Sequence, residues 1–244
     1  MIGVIGRKIG MTQILDHVGD LVPVTVIQVG PVMVTRIRAK AKDGYDAIQM
    51  GFEEAKEKHL AKPLLKEFEK LQIKPKKYLR EFRFFAGEKP EEFKVGQELG
   101  ADLFSEGEFV DVQGKSKGKG FQGGVRRWGQ KGGPETHGSM YHRRSGSCGS
   151  TTFPGRTWRG HHHPGHMGDD TKTVQNLLVM KVSKEDNAIL VRGAVPGSRN
   201  ALLLVRKSFK RGKIDLLKLK QRMEAGDKKD AAKKTAAKKP AAKK

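Results

Sequence analysis

The 244-residue chain carries 49 Lys and Arg residues against 27 Asp and Glu, which gives a formal net charge of +22 and a pI of about 10.1. So large an excess of positive charge favours a polyanionic partner, either a nucleic acid or an anionic membrane surface. The longest uncharged apolar run, residues 21–35, is shorter than a membrane span and contains Pro23 and Pro31. Arg7 and Lys8 interrupt the apolar N-terminus, which argues against a signal peptide. We therefore expect a soluble, cytoplasmic protein that makes no membrane contact.

Apolar, β-branched segments in the first half of the chain predict strands. Residues 21–38 form two of these, separated by a turn at Gly30–Pro31. Further strands are predicted at residues 45–52, 78–84 and 109–112.

Between these strands, residues 53–71 carry apolar side chains at roughly helical spacing. Pro63 fits the first turn of a helix, because proline lacks a backbone N–H and breaks helix interiors, so a second short helix should begin there. We predict that residues 54–90 form a small helical and strand insert within a β domain.

The second half of the chain predicts three more strands, at residues 174–182, 188–191 and 202–205. Asp186–Asn187 and Pro196–Gly197 mark the turns between them. Short apolar strands with turn residues roughly every 8–12 positions predict a mainly β fold, either a small barrel or a sandwich. We assign this body to residues 1–113 and 169–215.

Residues 114–168, which we call the extension, differ from the body in composition. They contain ten Lys or Arg, fifteen glycines, six histidines and both tryptophans, but a single acidic residue, Glu135. Their one aliphatic residue of the Val, Leu or Ile type is Val125. Because no hydrophobic core can form from this composition, we expect an irregular segment inserted between two halves of the β body and ordered by a partner.

Two glycine motifs in the extension suggest phosphate chemistry. Residues 118–123 (GKGFQG) fit the dinucleotide-binding pattern, but that loop must open an amphipathic helix, and residues 124–133 contain too many glycines for a stable one. Residues 114–116 (GKS) lack the upstream glycine of a phosphate-binding loop, because Phe109 occupies its position. We exclude both interpretations.

His161, His162, His163 and His166 form a histidine-rich tract that invites a metal-site interpretation. Zinc sites usually combine Cys and His at defined spacings, and this chain has one cysteine, Cys148. We interpret the histidines as polar, stackable side chains of a loop that contacts nucleic acid, and predict no metal and no cofactor. The same cysteine has no recognisable base or oxyanion site, so we predict no catalytic residue, no enzyme activity and no small-molecule substrate.

A nucleic-acid interface explains the extension better than a solvated linker does. Glycine lets the backbone approach phosphates closely, cations contact those phosphates, and interleaved aromatic rings stack on unpaired bases. The predicted contact residues are Lys115, Lys117, Lys119, Phe121, Arg126, Arg127, Trp128, Lys131, His137, Tyr141, His142, Arg143, Arg144, Arg156, Trp158, Arg159, His161, His162 and His163. Phe153 is a further interleaved aromatic residue.

The C-terminal residues 216–244 form a third region. Residues 214–223 predict a short helix, and the segment from Asp227 to Lys244 consists of Lys- and Ala-rich repeats. Low complexity and high charge predict a flexible polycation there.

Several motifs resemble the universal large-subunit ribosomal protein L-three family in its bacterial form. They are IGVIGRKIGMTQIL at the N-terminus, FSEGEFVDVQGKSKGKGFQGGVRR at 104–127, THG at 136–138, GHMG at 165–168, TVQNL at 173–177 and VRGAVPG at 191–197. The resemblance extends from Met1 to about Lys210.

This resemblance implies a six-stranded β-barrel of the translation-protein type, with the extension reaching through rRNA toward the peptidyl transferase centre. It implies direct binding to large-subunit rRNA, early nucleation of subunit assembly and contacts with neighbouring large-subunit ribosomal proteins. It also places Arg126, Arg127 and Trp128 near the tip of the extension. Ser150 stands where some bacterial members carry a methylated glutamine, so the resemblance carries no modification over to this chain.

A DNA-binding protein of the nucleoid type is the alternative, because the Lys- and Ala-rich repeats resemble histone-type tails. The extension distinguishes the two classes. DNA readers present a folded helix or ribbon to a groove, whereas a segment without internal structure needs a preformed RNA surround.

Overall fold

The computed structural model of the protein describes residues 3–16, 19–84 and 93–212. These residues form two compact units, one containing the described residues up to Gly114 and from Lys172 onward, the other being Lys115–Thr171. The predicted helix at 214–223 and the Lys-rich tail lie outside the described residues. No helix in the described part of the chain is long and apolar enough to span a membrane.

The prediction of a mainly β fold is confirmed. The strands of the described residues are β1 (Gly3–Leu15), β2 (Leu21–Val29), β3 (Val32–Arg38), β4 (Ala47–Glu54), β5 (Lys76–Arg83), β6 (Glu98–Leu99), β7 (Phe109–Lys115), β8 (Phe121–Gln122), β9 (Gly165–His166), β10 (Thr171–Ser183), β11 (Ala188–Arg192) and β12 (Leu202–Lys207). The α-helices are α1 (Lys40–Asp43), α2 (Lys62–Lys70) and α3 (Gly124–Trp128).

Six strands close into a barrel in the order β1-β12-β7-β10-β11-β2. The antiparallel pairing of β1 with β12 and of β2 with β11 joins strands from the two ends of the sequence. The two halves of the body therefore form one sheet, and the extension is inserted between β7 and β10.

β1 corrects the sequence analysis, which predicted no strand before residue 21. Glycines and two adjacent cations hide its β pattern, yet these residues have packing roles. A Cβ at Gly6 would lie 2.6 Å from the Gln28 carbonyl oxygen on β2, so only glycine fits there. Lys8 is buried, and its Nζ donates hydrogen bonds to the carbonyl oxygens of Val195 at 2.9 Å and Gly197 at 3.3 Å.

A second sheet has the order β5-β4-β3-β6. β3 pairs with β4, and β4 pairs with β5. The strands predicted at residues 32–38 and 45–52 therefore share a sheet with the strand of the insert predicted at residues 54–90, and not with the barrel. The break at Gly30–Pro31 separates β2 from β3 as predicted. Pro63 lies in the first turn of α2, also as predicted.

The two sheets of the first unit share one hydrophobic core. Its buried side chains come from the barrel and from the second sheet and include Val4, Ile27, Val112, Leu203, Met50 and Phe82. Burying an aliphatic or aromatic side chain of this size contributes about 1.5–3 kcal/mol. Since no buried hydrophobic residue of the described chain lies in Lys115–Thr171, the core belongs to the first unit alone.

The extension is mostly irregular, as predicted, but two regular features correct the expectation that it lacks internal structure. β8 pairs antiparallel with β9 through Phe121↔His166 and Gln122↔Gly165. The residues after Gly123 form the five-residue helix α3, which ends at Gly129 in the left-handed conformation. No helix was predicted there because of the many glycines. Residues 125–128 contain none, however, and this stretch is long enough for one helical turn.

Candidate nucleic-acid interface

We call the second unit, Lys115–Thr171, the extension unit. Its first and last residues are joined by a hydrogen bond and an ion pair. The Ser116 N–H donates a hydrogen bond to the Asp170 carbonyl oxygen at 2.9 Å. Lys115 Nζ lies 2.8 Å from Asp169 Oδ1, and the hydrogen bond and charge of that ammonium hold the pKa of the Asp169 carboxyl below its ordinary value. The ends of the unit thus run side by side.

Close backbone packing replaces a hydrophobic core inside the extension unit. The Gly133 N–H donates to the His142 carbonyl oxygen at 3.0 Å. A Cβ at Gly133 would lie 2.0 Å from the Tyr141 carbonyl oxygen, so any larger residue would separate these two segments. The glycines that composition alone associated with disorder therefore serve here to let backbones touch.

Two side chains of α3, and Gln130 just after the helix, anchor the histidine tract. Arg127 Nη1 and Trp128 Nε1 each donate a hydrogen bond of 2.9 Å to the His163 carbonyl oxygen, and Gln130 Nε2 donates to the His162 carbonyl oxygen at 3.2 Å. The Trp128 ring stacks on the His162 ring with centroids 4.2 Å apart and planes 6° from parallel. One face of the Trp128 ring is therefore in contact with His162.

The extension unit exposes aromatic rings that would be buried in an ordinary domain. The exposed fractions are 76% for Phe121, 46% for Trp128, 47% for Tyr141, 82% for Phe153 and 61% for Trp158. An indole or phenyl ring left in water forgoes the free energy that its burial would contribute. Several exposed rings in one unit therefore indicate a contact surface.

Three of these rings carry an arginine. The guanidinium carbon lies 5.0 Å from the ring centroid for Arg127 over Trp128, 5.8 Å for Arg144 over Tyr141, and 5.7 Å for Arg156 over Trp158. Such a pair offers a flat surface for a base and, beside it, a planar donor group for a phosphate.

The predicted contact residues are all exposed except Arg127, which is half-buried by its contact with His163. Gln130, Tyr141, Arg144 and His161 line a groove of about 200 Å³ within the extension unit, together with glycine and serine residues. The structure thus brings Tyr141, Arg144 and His161 of the predicted set to one concave surface. It does not bring Lys115, Lys117 or Lys119 into that groove.

Two features of the structure were not predicted from the sequence. A groove of about 290 Å³ on the first unit is lined by Asp111, Gln113, Arg206, Lys207 and Lys210, among others. Partial burial lowers the pKa of the Arg206 guanidinium below its ordinary value. The basic run after β12 could have indicated this surface, had the search for cations included the body.

The second missed feature is a cluster of possible metal ligands. Ligand atoms of Cys148, His161 and His163 lie within 4.8 Å of one another. No short spacing motif joins the cysteine to the histidines, so their proximity could not be predicted from the sequence.

Fold and site together define a class: β-barrel proteins that carry a cationic, glycine-rich extension suited to a polyanion. A family model described as Ribosomal protein L3 matches residues 85–188. A relative named large ribosomal subunit protein uL3, from Brachyspira hyodysenteriae, is 46% identical over 211 residues, which are 86% of this chain and 96% of the relative.

Two further relatives carry the same name. The one from Brachyspira pilosicoli is 45% identical over 86% of this chain and 95% of its own length. The one from Alkaliphilus metalliredigens is 48% identical over 87% of this chain and 100% of its own length. The chain belongs to the ribosomal protein L3 family, which confirms the resemblance found in the sequence.

Proposed function

We propose that this protein is a structural constituent of the large ribosomal subunit and that it binds large-subunit rRNA directly through the extension unit. Membership of the L3 family supports a structural rather than an enzymatic role, in ribosomes of the cytoplasm. The observation that carries the rRNA contact is the combination of five exposed aromatic rings with arginines packed over three of them.

The chemistry of binding follows from these pairs. Each guanidinium can donate two parallel hydrogen bonds to a phosphate, and each exposed ring can stack on an unpaired base. Base stacking on an aromatic side chain contributes about 1–3 kcal/mol per base, and every base offers a flat face. The extension unit would therefore recognise the shape and the unpaired bases of folded RNA rather than a linear sequence.

The same family supports the finer parts of the proposal. The barrel would be of the translation-protein type, the extension would reach toward the peptidyl transferase centre, and the protein would join the subunit early in assembly. Neighbouring large-subunit proteins would contact surfaces of the body. Each of these features is what the resemblance of the sequence motifs to the family implies for this chain.

The structure does not favour the alternative of a DNA-binding nucleoid protein. A DNA reader places a helix or a two-stranded ribbon in the major groove. The extension unit's one described helix, α3, has five residues, and two of its last three side chains, Arg127 and Trp128, are bonded to the histidine tract.

Competition binding tests the proposal. The full chain should bind a folded large-subunit rRNA fragment at least about tenfold more tightly than duplex DNA of equal length at one stated salt concentration, a difference of about 1.4 kcal/mol. Arg144→Gln with Arg156→Gln should weaken rRNA binding more than the matched control, Arg80→Gln with Arg83→Gln on β5, which removes the same charge. Equal affinities for RNA and DNA would contradict rRNA recognition, and equal losses from the two variants would contradict the extension unit as its site.

A further inference from the structure

We infer that Cys148, His161 and His163 form a zinc site in the extension unit. The sulfur of the cysteine and one nitrogen of each histidine lie within 4.8 Å of one another, and all three side chains are accessible from solvent. His161 and His163 also belong to the predicted rRNA contact residues, but the evidence for the zinc site is the geometry of these three side chains and not the charge of the surface.

Hydrogen bonds to their backbone atoms hold the two histidines in place. Hydrogen bonds from Arg127 and Trp128 fix the His163 carbonyl, and the His161 N–H donates to the Trp158 carbonyl oxygen at 3.3 Å. The intervening His162 packs its ring on Trp128.

Stacking on Trp128 occupies the His162 ring, so it is not part of the cluster. The rings of its two neighbours, His161 and His163, lie near each other with centroids 4.7 Å apart. The backbone of the histidine tract is therefore fixed before any ion arrives, and the two imidazoles are already paired.

The cysteine is presented by a tight turn of its own. Ser147 Oγ donates to the Gly149 carbonyl oxygen at 2.7 Å, and the Gly149 N–H lies 3.3 Å from the same Oγ. These two contacts hold the backbone on either side of Cys148, whose thiol lies beside the two histidines. Preorganisation of this kind lowers the entropy that ligand side chains lose on binding an ion.

The donor set selects the metal. One thiolate and two imidazoles suit a borderline ion such as Zn²⁺, whereas Mg²⁺ and Ca²⁺ prefer oxygen ligands, and none is in this cluster. Zinc bonds of about 2.0–2.3 Å in a tetrahedron place neighbouring ligand atoms roughly 3.3–3.6 Å apart, so the cluster must contract by about 1 Å. The thiol proton leaves to solvent when the ion binds, no electron is transferred, and water completes the fourth position.

A bound ion would connect two loops of a unit that has no buried hydrophobic side chain. The metal would join residues 147–149 to residues 161–163, a role that apolar packing has in the first unit. Zinc would thus order the extension unit, much as structural zinc contributes folding free energy in small domains.

The test uses the full chain, purified under reducing conditions without metal. Cobalt(II) is the spectroscopic probe, since a tetrahedral thiolate site gives a sulfur-to-cobalt charge-transfer band, and zinc affinity is measured by competition with a chromophoric chelator. Wild type should bind one ion with that band. Cys148→Ser should abolish the band and weaken zinc binding by more than about tenfold. His161→Gln should weaken it similarly, whereas the control His166→Gln, which removes a histidine outside the cluster, should not.

A second readout needs no variant, because Cys148 is the only cysteine of the chain. Stoichiometric zinc should slow its reaction with a thiol reagent by more than about tenfold, since the metal-bound sulfur is no longer a free thiolate. Unchanged labelling with zinc bound would overturn the inference. Zinc affinity that survives Cys148→Ser would overturn it as well, and would assign binding to the histidine run alone.

Discussion

At the scale of single residues, Trp128 shows how a segment without an apolar core acquires order. Its ring stacks on His162, and its Nε1 holds the His163 carbonyl, yet about half of the side chain remains exposed. The same residue thus orders the histidine tract and keeps the exposed part of its side chain accessible to a partner. An indole serves both purposes because it combines a large apolar face with a single hydrogen-bond donor.

Trp128→Ala should loosen the histidine tract without affecting the barrel. The variant loses a ring stack and a hydrogen bond, each contributing about 0.5–1.5 kcal/mol, so amide exchange at residues 161–163 should accelerate about tenfold. Trp128→Phe, which keeps a ring but loses the donor, should give an intermediate rate. Hydrogen exchange measures the effect, and thermal unfolding provides the control, since its midpoint should not move. Unchanged exchange in Trp128→Ala would contradict the anchoring role.

A polar network on the second sheet supplies a residue-scale prediction of pH dependence. Glu81 accepts hydrogen bonds from Arg38 Nε at 2.7 Å and from the Tyr45 hydroxyl at 2.8 Å. Partial burial alone would raise the pKa of the Glu81 carboxyl, but the Tyr45 hydroxyl and the Arg38 guanidinium together outweigh it and hold that pKa below its ordinary value.

A carboxyl whose pKa is lowered by folding stabilises the protein above its unfolded pKa and loses that contribution as the pH falls through its folded pKa. Glu81→Gln should therefore lower stability at pH 7 and flatten the loss of stability on acidification below about pH 4.5. Urea unfolding at a series of pH values measures this. Glu54→Gln, which removes an exposed partner of Lys74 on the same sheet, is the control and should change little. If Glu81→Gln kept the wild-type dependence of stability on pH, the hydrogen bonds to Glu81 would not contribute to the free energy of unfolding.

At the scale of elements, a strand can be predicted from the sequence where its residues are the β-branched types that favour strands. It is missed where tertiary packing requires other residue types. β2 and β3 are β-branched runs around Gly30–Pro31, so their pattern alone reveals them. β1 carries glycines that make room for β2 and a lysine that bonds to a distant loop, and both requirements come from tertiary packing.

Which strand belongs to which sheet also depends on long-range pairing, so the local pattern of β3 and β4 could not show that they pair in the second sheet and not in the barrel. In the extension, residue types were sufficient to indicate a polyanion partner. The anchoring of the histidine tract by α3 and the proximity of Cys148 were not predictable, because each arises from contacts between segments far apart in sequence.

Removing the extension should leave the body folded. The Ser116 N–H and the Asp170 carbonyl oxygen are 2.9 Å apart, so about four glycines can replace residues 117–169 without straining β7 or β10. Because the hydrophobic core lies entirely in the first unit, this chain should unfold cooperatively by circular dichroism and calorimetry. A gradual melt with exposed hydrophobic surface would show that the extension unit is needed for the core.

At the scale of the whole molecule, charge is divided according to role. The body buries its apolar residues and carries most of the acidic residues, whereas the extension has ten cations and one acidic residue among residues 114–168. Such a distribution keeps the core independent of the partner and places the electrostatic attraction on a segment that has little else to stabilise it.

The salt dependence of rRNA binding tests this account most directly. For the full chain, log K against log salt should have a slope of roughly −6 to −9, which corresponds to about eight to ten neutralised phosphates. The chain in which glycines replace residues 117–169 should give a slope shallower than about −3 on the same rRNA fragment, although its C-terminal lysines remain. A full-chain slope near −2, or equal slopes for the two chains, would contradict the claim that the extension is the main rRNA contact.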